Sequence, residues 1–203
     1  MSDTLLRRLP RAVRPLNDPP AASADHDAAD LDDLLPPARA VAAVLVPLVN
    51  RAGILSVLLT RRTDHLARHA GQVSFPGGRS EPSDSDAIAT ALRETLEEIG
   101  IEPTLIEPFG YLDILETVSG YCVTPVVAWL DAAYKAQPDP HEVAEIFEVP
   151  LEFFLAPENL RRLSVEYRGR PREILEFAHV GPRIWGATAT MLFNLVQRLE
   201  ATA

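Results

Sequence analysis

Residues 75–100 read FPGGRSEPSDSDAIATALRETLEEIG. Two glycines stand near the start of this stretch, and Glu94, Glu97 and Glu98 crowd its end. Between them, DAIATALRETLEEI predicts a helix, stopped by Gly100 with Pro103 beyond it. On a helical projection Ile88, Leu92, Leu96 and Ile99 share one arc, with Ala91 and Thr95 beside it. That arc is the expected buried face. The three glutamates share another arc at i, i+3, i+4 spacing, where like charges cost a helix about 0.2–0.5 kcal/mol per pair. Arg93, four residues before Glu97, offsets only part of that cost.

The rest of the chain frames this helix. AVAAVLVPLV (40–49) and ILSVLLTRR (54–62) read as two strands joined at Asn50-Arg51-Ala52-Gly53. GQVSFPGG (71–78) leads into a glycine loop. PTLIEPFGYLDIL (103–115) and YCVTPVVAWL (121–130) read as further strands. EIFEVPLEFFL (145–155) reads as a strand and a short helix. LSVEYRG and REILEFA form a hairpin turning near Gly169-Arg170-Pro171, and WGATATMLFNLVQRLE closes as an amphipathic helix. Strands mixed with a few helices predict an α/β or α+β sandwich around a mixed sheet. Residues 1–37 read as a basic arm around LLRRL followed by a disordered linker rich in Pro, Ala and Asp, with the main domain at 38–203.

Composition narrows the function. A net charge of −10 argues against a basic nucleic-acid-binding surface. No apolar run is long enough to span a bilayer, and the basic start lacks the apolar segment of a secretory signal. The single cysteine, Cys122, forms no disulfide framework and reads as a core residue. A cytoplasmic protein without nucleic-acid or membrane partners is expected, as monomer or homodimer. The negative charge leaves room for a phosphorylated small molecule as partner, since an acidic site can bind a polyanion when divalent cations sit between them.

An acidic helix face is as a rule merely solvated, since glutamate is a good helix former. The other reading is a divalent-cation site, because Mg²⁺ takes oxygen ligands and is held by carboxylates together with substrate phosphates. Pro76-Gly77-Gly78 favours the second reading by letting the backbone approach closely. Together, the glycines, Asp84 and ALRETLEEIGI resemble the Nudix box. Arg93, Glu94, Glu97, Glu98, Gly100 and Ile101 match its second half. Three features depart: Asp84 stands where the box has Glu, eight residues rather than seven separate it from Arg93, and Thr95 replaces an aliphatic residue.

The resemblance covers roughly residues 38–200 and implies a sheet sandwiched by helices. It also implies hydrolysis of a nucleoside diphosphate linked to another moiety, with Mg²⁺ or Mn²⁺ as cofactor. The implied metal ligands are Glu94, Glu97, Glu98 and the Gly78 carbonyl. Arg93 orients them, and Glu97 and Glu98 take part in catalysis. HEVAEIFEVPL (141–151) is similar to the family segment that brings a general base to the metals; the candidates are Glu142, which is preferred, Glu145, and a glutamate of the box itself.

LLTRRTDHLARHAGQVSFPGG (58–78) further resembles the signature of the coenzyme A pyrophosphatase subfamily, matched at Leu59, Thr60, Arg62, Gly71, Phe75, Pro76, Gly77 and Gly78. Thr63 and Ala67 depart from it. That resemblance implies coenzyme A or acyl-CoA as substrate, with Arg62 and Arg68 on its phosphates. The alternatives are a Nudix pyrophosphatase acting on ADP-ribose, NADH or dinucleoside polyphosphates, and a non-catalytic binding module on the same fold.

Overall fold

A computed structural model of the chain describes residues 2–20, 38–66, 69–167 and 169–202. Helix α1 (Ser2–Ala12) precedes strands β1 (Ala40–Arg51), β2 (Ile54–Arg62), β3 (Val73–Ser74) and β4 (Gly77–Arg79). Helix α2 (Ala87–Ile99) follows, then β5 (Ile106–Tyr111), β6 (Leu115–Glu116), β7 (Tyr121–Leu130) and β8 (Val143–Pro150). The chain ends in α3 (Leu151–Leu155), β9 (Leu160–Tyr167), β10 (Arg170–Phe177), β11 (Ile184–Trp185) and α4 (Gly186–Ala201).

The apolar run of β1 places it at the centre of the main sheet. It pairs in parallel with β7, from Ala40 opposite Tyr121 to Val49 opposite Leu130. Its other edge is shared: Ala42–Val44 pair with β4 and Leu48–Arg51 with β2. Pro47, which has no N–H to donate, falls in the gap between those partners. Both faces of β1 are covered, which explains a near-continuous hydrophobic run in place of alternation. Ala42, Val46 and Leu48 enter a core with α1, α3 and α4, whereas Ala43, Leu45 and Val49 enter a second core with α2. The architecture is therefore a mixed sheet between helical layers, the class read from the sequence. Strands β9, β10 and β11 form a separate antiparallel sheet.

Three expectations are refined. Leu5, Leu9, Ala12 and Val13 of the basic arm belong to the same core as Leu192, Leu195 and Leu199 of α4, and Arg14 bridges to Tyr111. Of residues 17–37, read as the acidic linker, 21–37 lie outside the described residues. The Gly77-Gly78 pair is not in a loop but in strand β4, because glycine alone lets that strand approach β1 so closely. A Cβ on Gly77 would sit 2.4 Å from the Ala43 carbonyl oxygen. The buried face of α2 is also rotated from the expected arc: Thr90, Ala91, Thr95, Glu98 and Ile99 are buried, while Leu96 is exposed. Thr95 is accommodated because its hydroxyl donates to the Ala91 carbonyl at 2.6 Å. Among the described residues no helix is long and apolar enough to cross a membrane.

Candidate active site

Helix α2 is fixed at both ends by local chemistry. The Asp86 side chain accepts from the Ala89 N–H at 2.8 Å, and Gly100 closes the helix in the left-handed conformation with φ 65°. Between these caps the helix lies along β1 and β4 and turns its glutamates toward the glycine strand. A Cβ on Gly78 would sit 2.5 Å from Glu94 Oε2, so the missing side chain makes room for that carboxylate.

The three glutamates differ in surroundings. Glu98 is only 4% exposed. It accepts from the Gly77 N–H at 3.1 Å and from Arg62 Nη1 at 3.4 Å. Burial pushes its carboxyl up to about 7, the Gly77 N–H and Arg62 oppose that rise, and the charges of Glu142 and Glu94 add to it. Glu94, with its side chain 17% exposed, is also raised, first by burial and then by Glu97 and Glu142 against the pull of Arg93. The Glu97 side chain is 59% exposed. An open cavity of about 570 Å³ beside Glu94 is lined by Arg79, Ser80, Glu81 and Pro82.

Arg93 organises this group. Its Nη1 donates to Glu94 and Glu97, each at 3.0 Å, and its Nη2 to the Arg79 carbonyl at 3.0 Å. On its other side it grips Asp84 with two bonds, Nε to Oδ1 at 3.0 Å and Nη2 to Oδ2 at 2.9 Å. Asp84 also accepts from the Glu81 N–H and the Thr90 hydroxyl, each at 2.9 Å. Arg93 first, and these donors after it, hold the Asp84 carboxyl well below the usual carboxylate range. Sequence reasoning left Asp84 without a role and missed Thr90. Their signal is the spacing Asp84, Thr90, Arg93, which becomes legible once the loop before α2 folds back over its first turn.

Arg93→Lys tests this arrangement, since one ammonium cannot reproduce the fork. It is expected to lower kcat/KM by about 10–100-fold, the usual cost of losing a group that orients ligands. Steady-state kinetics and circular dichroism check that result against a folded control.

Glu142 and Glu145 separate clearly. Glu145 stands opposite Arg61 and meets its guanidinium at 3.5 Å. Glu142 is exposed, its backbone carbonyl accepts from the Thr63 N–H at 2.9 Å, and its charge acts on both Glu94 and Glu98. Arg68 lies outside the described residues. Its neighbour His69 is exposed, and its Nδ1 bonds the Gln72 side chain at 2.8 Å. Among the described residues no three Asp, Glu, His or Cys side chains are spaced to hold a metal ion as they stand. Arg93 occupies Glu94 and Glu97 in that arrangement.

The chain has clear relatives. A family model described as the NUDIX domain matches residues 38–175. The chain is 41% identical over 159 residues to a protein of Photorhabdus laumondii named uncharacterized Nudix hydrolase NudL, covering 78% of this chain and 84% of that one. A Yersinia pestis protein of the same name is 40% identical over 159 residues, covering 78% and 79%. Among solved structures, a C. elegans Ap4A hydrolase binary complex is 26% identical, covers 56% of this chain and 81% of that one, and has a TM-score of 0.46. The M. smegmatis Nudix hydrolase RenU is 22% identical, with coverage of 57% and 73% and a TM-score of 0.48. A domain match across most of the chain, joined to full-scale relatives at about two-fifths identity, places this protein in the Nudix hydrolase family, enzymes that act on pyrophosphate bonds.

Proposed function

We propose that the protein hydrolyses the diphosphate of coenzyme A or acyl-CoA, giving 3′,5′-ADP and 4′-phosphopantetheine or its acyl form. The observation that carries this reading is the stretch Leu58–Gly78. Its sequence resembles the coenzyme A pyrophosphatase signature, and two of its residues fifteen positions apart, Arg62 and Gly77, meet on the one carboxylate of Glu98.

Nudix hydrolases use divalent metal ions. The donor set here suits one: burial and mutual repulsion raise Glu94 and Glu98, a shortage of positive charge that a cation relieves. Glu94, Glu97, Glu98 and the Gly78 carbonyl would hold Mg²⁺ or Mn²⁺, with Glu94 and Glu97 exchanging Arg93 for it. Such an ion polarises the pyrophosphate and offsets the charge on the departing phosphate.

The chain's own groups do the rest. Asp84 retains Arg93 near the glutamates and so preserves their orientation. Arg62, a quarter exposed and with its Nη1 3.4 Å from Glu98, brings its guanidinium beside the glutamates, where it would meet a substrate phosphate. Arg68, six residues further on, adds a second cation in the same signature. Glu142 takes the proton from the attacking water, since Glu145 is held by Arg61.

The test is incubation with coenzyme A, acetyl-CoA, ADP-ribose, NADH and a dinucleoside polyphosphate, each with Mg²⁺ or Mn²⁺, followed by chromatography. Coenzyme A or its acyl form is expected to turn over fastest. A preference for ADP-ribose sinks the substrate assignment, and absence of turnover on every compound favours the binding-module alternative.

A further inference from the structure

Strand β9 is one edge of the three-stranded sheet, and among the described residues it pairs with β10 alone. Its eight residues, LRRLSVEY, run from Leu160 opposite Phe177 to Tyr167 opposite Arg170 with no shift of register. Such an edge presents a row of N–H and C=O groups ready to pair with another chain. Proteins blunt such edges with proline, bulges, short strands or charges. Here only charges serve, and their order allows a specific self-pairing.

In an antiparallel pair, residues directly opposite point to the same face. Two copies of one strand related by a two-fold axis must therefore set some residue opposite itself. Pivoting at Leu163 places Arg162 opposite Ser164 and Leu160 opposite Glu166, which matches nothing. Pivoting at Val165 places Arg162 opposite residue 168, also an arginine. Pivoting at Ser164 places Arg162 opposite Glu166, Leu163 opposite Val165 and Arg161 opposite Tyr167, and leaves one mismatch, at the strand ends, where Leu160 falls opposite residue 168. Each pair then occurs twice, and only a small hydroxyl meets itself.

We propose that the β9 edge is a homodimer interface, with two hairpins joined antiparallel about Ser164 into one sheet across both copies. Glu166 has no ion pair among the described residues, and it faces Pro171 on the β10 side. Arg162 bonds Glu173 through Nη1 at 2.6 Å within its own chain, so in the dimer its guanidinium fork would be shared between Glu173 and Glu166 of the second copy. Tyr167 is an exposed aromatic ring suited to the guanidinium of Arg161. The hairpin packs on α4, across the sheet from α2, so assembly leaves the glutamate site open. The contact is isologous and closes at two copies.

Sedimentation velocity of the full chain, with two variants and their mixture, tests the proposal. The wild type is expected to be a dimer. Glu166→Lys sets Lys opposite Arg162, and Arg162→Glu sets Glu opposite Glu166, so each variant alone is expected to be a monomer. Mixed in equal amounts they restore both opposite-charge pairs, and a heterodimer is expected. Circular dichroism and turnover, unchanged in Glu166→Lys, show that the loss is one of assembly. A monomeric wild type, a dimer that survives Glu166→Lys, or a mixture that stays monomeric overturns the proposal.

Discussion

Glu98→Gln is expected to lower kcat by at least roughly a hundredfold while leaving the protein folded, since Glu98 is a proposed metal ligand and losing a ligand costs more than losing a group that orients one. The expectation of an intact fold comes from the surroundings of Glu98. Its carboxylate accepts the Gly77 N–H in a nearly closed position. Glutamine keeps an acceptor there and removes a charge that burial opposes. The melting temperature should therefore hold or rise as activity falls, a combination that plain structural damage does not give. Glu97→Gln is the companion variant: its side chain is largely exposed, so a similar loss of rate there has no packing explanation. The measurements are kcat by steady-state kinetics and unfolding by calorimetry. Retention of near-wild-type turnover by either variant would remove that glutamate from the proposed ligand set.

Gly77→Ala is expected to be the most damaging substitution for stability. The added Cβ would meet the Ala43 carbonyl oxygen at 2.4 Å and Val44 Cα at 2.5 Å, both backbone atoms that no rotamer change can move. The residue also has φ +150°, a conformation that side-chain-bearing residues rarely adopt. Overpacking costs about 1–3 kcal/mol, and a strained backbone costs about as much again. For a chain of this length the melting temperature should fall by roughly 5–20 °C. Activity should fall with it, because the same residue donates to Glu98. A variant that melts with the wild type would mean that β4 does not lie this close to β1.

The local parts of this fold were legible in the sequence. The ends of α2 are set by Asp86 and Gly100, and β1 by an unbroken apolar run, so a window of residues contained the answer. Non-local parts were not. Gly77 and Gly78 carry no side chain to signal strand, and what makes them one is pairing with Ala42–Val44 more than thirty residues away. The buried arc of α2 was displaced for a similar reason. Helical periodicity alone points its apolar residues at the core, yet the helix turns Glu98 inward because Gly77 and Arg62 wait there. The candidate site was legible as a set of residue types; its internal wiring was not. Nothing in the spacing of RETLEE announces that Arg93 is held from behind by an aspartate nine positions earlier.

The central position of β1 has a consequence for how the chain comes together. β1 is the first strand, yet its long parallel neighbour, β7, lies beyond α2, β5 and β6 in the chain. Pairing Ala40 with Tyr121 demands closure of a large loop before any of that contact is rewarded. On a ribosome, AVAAVLVPLV emerges well before the strand that will cover its flank. β2 shields its other end early through the short Asn50–Gly53 turn, where the Gly53 N–H bonds the Asn50 side chain at 3.2 Å. The hairpin thus serves as a provisional partner for a sticky segment until synthesis delivers the permanent one.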